Sequence, residues 1–91
     1  MLYVSSVTLG LVSFVEAYVL INCDVGESWK IAETALKIKN VKMAHAVTGM
    51  YDVVAFIEFA DMEVLTAILS EFQAMEGVNR THTAVAIPSK D

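Results

Sequence analysis

The chain has 91 residues and a formal net charge of -5, with six Lys plus Arg against eleven Asp plus Glu, and 56% of it is hydrophobic. That length supports one domain, and cations this few and this scattered exclude a phosphate-neutralising surface as the basis of function. A domain of this size hides roughly 60–65% of its unfolded surface, so the apolar surplus has a subunit interface as its natural destination.

Glu16 is the first charged residue. The stretch before it lacks the basic start and small-residue cleavage site of a secretory signal. As a membrane span it would carry Ser5, Ser6, Thr8, Gly10 and Ser13 and meet Glu16 near its middle. Residues 1–14 are therefore expected to form an extra strand or a tail on a neighbouring subunit, with the domain proper running over 15–91. No membrane partner is expected. The single Cys23 has no intrachain partner, which agrees with a cytoplasmic location.

From Val15 to Asn22 the residues read as a strand, with Val15, Ala17, Val19 and Ile21 on one face and Tyr18 and Leu20 on the other. Asp24 followed by Glu27 has the spacing of a capping box. The helix predicted from there shows Ile31, Ala35 and Ile38 in helical register, widened by Ala32 and Leu36, and stops at Asn40. Trp29, at its start, is expected to cover the sheet edge. Val41 to Thr48 and Val53 to Phe59 read as the next two strands. The latter is apolar on both faces, which predicts helices over one side of the sheet and another subunit over the other. Asp61 caps a second helix with the stripe Leu65, Ile68, Leu69, Phe72 and Met75, and Gly77 ends it. Asn79 to Ile87 forms the last strand before Pro88.

The two halves follow one plan. Asp61 repeats Asp24 at the same offset at which Val78 repeats Val41. A doubled strand–helix–strand unit predicts an α+β, ferredoxin-like βαββαβ sandwich: a four-stranded antiparallel sheet, two helices on one face, and the first and third strands in the centre.

Thr48-Gly49-Met50-Tyr51-Asp52 joins the two middle strands. Gly49 permits positive φ, and Asp52 can accept N–H bonds from the loop it closes. Thr81 and Thr83 point from one face of the last strand. Loop amides and hydroxyls can donate to a carboxylate while Asp52 accepts from an ammonium, so the set suits a zwitterion. Turn chemistry and β-propensity account for the same residues without any ligand. His45 and His82 lie apart, no Cys, His or carboxylate set has metal spacing, and no cofactor is implied. Cys23 reads as a small buried hydrophobe.

The chain from about Val15 to Ile87 resembles the RAM domain, the effector-binding module of Lrp/AsnC-type regulators. The residues that carry the likeness are Val47-Thr48-Gly49-Met50-Tyr51-Asp52, Ala60-Asp61-Met62-Glu63 and Gly77-Val78-Asn79-Arg80-Thr81-His82-Thr83. The resemblance implies dimers formed through facing sheets, rings of those dimers, and an amino acid bound where dimers meet. Carried over, it names Gly49, Met50, Tyr51 and Asp52 as ligand contacts, with Thr81 and Thr83 second. It implies a non-enzymatic sensor. The chain departs from the family pattern in lacking the DNA-binding helices that usually precede this module, so no direct nucleic-acid contact is expected, and in having Ile38-Lys39-Asn40-Val41 where a proline–glycine pair is usual. Two alternatives stand beside it. One is a small dimeric α/β-barrel enzyme, monooxygenase- or isomerase-like, with His45 or His82 as base. The other is an assembly partner of full-length Lrp/AsnC regulators that binds no small molecule.

Overall fold

The computed structural model describes residues 14–88. The expected extra strand or tail over 1–14 thus lies outside the described residues, apart from Phe14, which is exposed. Six elements follow in order: β1 (Val15–Cys23), α1 (Ser28–Ala35), β2 (Val41–Ala46), β3 (Val53–Phe59), α2 (Met62–Ala74) and β4 (Val78–Val85). The sheet runs β2-β3-β1-β4 with antiparallel neighbours. Each strand–helix–strand unit leaves a gap that the other unit fills, which is the ferredoxin-like interleaving and puts β1 and β3 in the centre.

Period-two alternation sends Ala17, Val19 and Ile21 to the same side as Val53, Ala55, Ile57 and Phe59, and all seven are buried. Ile31, Ala32 and Ala35 of α1 and Leu65, Ile68 and Phe72 of α2 close over them as one core. Each large side chain taken fully from water there contributes about 1.5–3 kcal/mol. Asp61 caps α2 as its spacing predicts: its carboxylate accepts the Val64 N–H at 3.0 Å while its own backbone is extended.

The first helix differs from expectation at both ends. It begins at Ser28, with Glu27 in the capping position and no side-chain cap. The Asp24–Glu27 box does not form because Gly26, at φ 85, bends those residues into a turn of their own. In that turn the Asp24 carbonyl accepts the Glu27 N–H at 3.1 Å, and the Asp24 N–H is held by the Gly77 carbonyl at 2.9 Å. At the far end, the amides of Lys37, Ile38 and Val41 reach back three residues instead of four, so the helix tightens and unwinds after Ala35. Asn40 still turns the chain, at φ 79, and its side-chain amide donates to the Glu58 carbonyl at 2.8 Å. Leu36 is not part of the buried face: it is 50% exposed.

Residues opposite one another in an antiparallel ladder share a face. Tyr18 faces Phe56, Leu20 faces Val54 and His82, and His45 faces Val54, all on the side away from the helices. Tyr18 is 42% exposed, with its ring centroid 5.2 Å from that of Phe56. No described element of the chain covers this side.

Candidate functional site

The β2–β3 turn is stapled to the end of β1. Asp52 donates its N–H to the Ile21 carbonyl at 2.9 Å and accepts the Val47 N–H on its own carbonyl at 2.9 Å. Its carboxylate Oδ2 accepts the Cys23 N–H at 2.8 Å. The Asn22 side-chain amide donates to the Met50 carbonyl at 2.9 Å. Gly49 sits at φ 112 with open space where a Cβ would be, so conformation and not crowding calls for glycine there. The result is a turn held at the sheet's end by four hydrogen bonds, with Asp52 Oδ1 lacking a hydrogen-bond donor among the described residues.

Asn22 and Cys23 thus belong to the site, although sequence reasoning placed neither there. Cys23 is not the fully buried hydrophobe expected; it is half-buried at the core's edge. Burial raises its thiol above the usual range, and the negative charges of Asp52, Asp24 and Glu27 add to the effect. The thiol therefore stays protonated at neutral pH and is a poor nucleophile.

The other candidates divide. Tyr51 meets His82 of β4 edge to face, ring centroids 5.7 Å apart, which ties the turn to the edge strand. Met50 is 83% exposed. Thr81 and Thr83 pair with Ile21 and Val19, so they share the helix side of β4, opposite to His82. Thr81 Oγ1 there accepts from the Gln73 amide at 3.3 Å. His45 and His82 share a cross-sheet row but sit on opposite edge strands, about 14 Å apart at ordinary strand spacing, too far to act as one pair in a subunit. Among the described residues, no three His, Cys, Asp or Glu gather to hold a metal, and no helix is long and apolar enough to cross a membrane. Trp29 stands at the sheet edge, beside Ser28, Ala46, Val47 and Thr48 at the end of β2, but covers little of it and stays exposed.

Residues 16–90 match the Lrp/AsnC ligand binding domain, and the chain belongs to that family. It is 28% identical over 71 residues to HTH-type transcriptional regulator FL11 of Pyrococcus abyssi, covering 78% of this chain and 47% of that protein. The chain spans about half the length of the curated relatives it matches. Among solved structures it is similar to TTHA0845 from Thermus thermophilus, with 29% identity, a TM-score of 0.79, and coverage of 85% of this chain and 98% of that one. It also shares its fold with transcriptional regulator NMB0573 of Neisseria meningitidis, solved with L-Met, at 20% identity and a TM-score of 0.77 over 100% of this chain and 58% of that one.

Proposed function

We propose that the domain is a non-enzymatic amino-acid sensor that binds a free amino acid at the Thr48-Gly49-Met50-Tyr51-Asp52 turn and couples binding to assembly. The observation that carries this reading is the stapled turn: the N–H groups of Thr48, Gly49, Met50 and Tyr51 have no partner among the described residues and suit a carboxylate, and the free Asp52 Oδ1 suits an ammonium. Thr81 and Thr83, on the helix side of β4 with Thr81 bonded to Gln73, enter this reading only as outlying second-rank candidates. The apolar sheet face opposite the helices pairs subunits, dimers join into rings, and the ligand bound where dimers meet favours the ring by its greater affinity for that state. Full-length Lrp/AsnC regulators are the natural macromolecular partners, since the same sheet face would pair with theirs. A small zwitterion has few atoms, so affinity falls between about micromolar and millimolar, roughly -8 to -4 kcal/mol.

Asp52→Asn tests the site because asparagine keeps an acceptor for the Cys23 N–H and removes the charge. A thermal-shift screen of the twenty amino acids, read beside native mass, should find at least one that raises the wild-type midpoint and favours the larger assembly. In the variant that response should weaken at least tenfold in ligand concentration. A flat wild-type response to all twenty would refute sensing and leave an assembly partner; an unchanged response in the variant would remove Asp52 from the site.

A further inference from the structure

Beside the turn, Ser28, Trp29, Ala46, Val47 and Thr48 line an open depression of about 580 Å³. Its volume falls in the range of small-molecule sites, roughly 300–1,000 Å³. Val47 and Thr48 belong to both features: the Val47 N–H is bonded to the Asp52 carbonyl, and Thr48 opens the turn. Trp29 is 76% exposed there, on the first turn of α1, although an indole is among the side chains that gain most from being covered. Two other grooves among the described residues have charged rims, Lys39 with Glu63 and Glu71 in one and Lys30 with Glu76 in the other. This depression has no charged lining residue.

We infer that the depression receives the side chain of the bound amino acid, with Trp29 as its wall, and that the domain selects large apolar side chains. This rests on the amino-acid reading of the turn. A ligand anchored by its backbone groups at Gly49 to Asp52 has Val47 and Thr48 as the next surface along the chain, and that surface runs to the indole. Ser28 and Thr48 offer hydroxyls at the rim but no countercharge. A carboxylate or ammonium side chain entering it would lose hydration and gain no partner, which is unfavourable. A leucine, methionine or phenylalanine side chain would cover the exposed indole face and the Val47 methyl groups. Trp29 is thus a specificity-determining residue, distinct from the polar groups that hold the ligand's backbone ends.

The chain contains one tryptophan, so its emission reports this depression alone. The experiment titrates L-leucine, L-methionine, L-phenylalanine, L-alanine, L-aspartate and L-lysine while following both the thermal midpoint and the Trp29 emission. The expected result is a midpoint increase with the large apolar ligands accompanied by a blue shift of the emission. Leucine should be preferred over alanine by about tenfold or more. Trp29→Ala, at an exposed position that leaves the core intact, should reduce that preference to within about threefold. Midpoint increases with a silent indole, best binding by aspartate or lysine, or an unchanged preference in Trp29→Ala would each overturn the inference and leave the sensor reading standing. An emission shift that follows protein concentration and not ligand would make Trp29 a contact between subunits and overturn it too. No midpoint change with any of these six would overturn the inference, and a flat response to all twenty amino acids would end both.

Discussion

Tyr18 is the position at which pairing through the sheet face is most open to measurement. It lies mid-strand on the open side, 42% exposed, against Phe56. An aromatic side chain covers on the order of 200 Å², so about 80 Å² remains free per copy at 42% exposure. Facing sheets bury that area twice, about 160 Å², worth about 4 kcal/mol at ~25 cal per Å². Tyr18→Ala should therefore weaken a dimer by about a thousandfold, less whatever the remaining methyl retains. Sedimentation equilibrium over a dilution series reads this directly, with far-UV dichroism confirming that the variant folds. Leu36→Ala is the control, since Leu36 is 50% exposed on the helix side and offers comparable apolar area on the wrong surface. A dimer constant within about threefold of wild type for Tyr18→Ala, or equal losses in both variants, would refute pairing through this face.

Two further outcomes concern stability and reactivity. Asp61→Ala removes the side-chain acceptor of the Val64 N–H and should cost about 1 kcal/mol, lowering the thermal midpoint by about 4–8 °C, with Asp61→Asn close to wild type; calorimetry showing a shift below about 1 °C would contradict the cap. The raised Cys23 pKa makes the folded state hold its thiol proton where the unfolded chain releases it, so this residue's contribution to stability is intact below the usual value of 9.0 and declines as pH rises through and beyond it. Urea unfolding between pH 8 and 10 should show that decline in wild type and less of it in Cys23→Ser, and alkylation at pH 8 should be slower than for free cysteine; equal alkylation rates would contradict the raised pKa.

Much of the fold was readable because independent signals agreed. In α2 the cap at Asp61, the stripe Leu65–Ile68–Phe72 and Gly77 at φ 95 all point to one helix, and the structure has it. In α1 they conflict. Asp24 and Glu27 have the spacing of a box, but a box needs an extended capping residue, and the Asp24 amide is already taken by Gly77, fifty-three residues away by number. The turn at Gly26 and that tertiary bond together keep the box from forming. Leu36 was misplaced for a related reason. Helical period gives an angle around an axis but not which arc meets the sheet, so residues flanking the true stripe can fall on either side of the boundary.

The site divides along the same line. Gly49 and Asp52 are visible in sequence because their task is local: one supplies a positive φ and the other closes a turn. Asn22 and Cys23 act on that turn from twenty-eight and twenty-nine residues away, and only strand register brings them there. Register also governs the threonines. Alternation alone puts Thr81 and Thr83 on a common face, but their pairing with Ile21 and Val19 determines that the face is the helix side. A one-residue slip of β4 would have turned them to the open face and His82 away from Tyr51. Local chemistry therefore singles out the candidate loop for a ligand's charged ends. The ladder between β1 and β4 determines what else can reach it, and here it leaves the Tyr51–His82 contact on one side and the exposed indole of Trp29 beside β2.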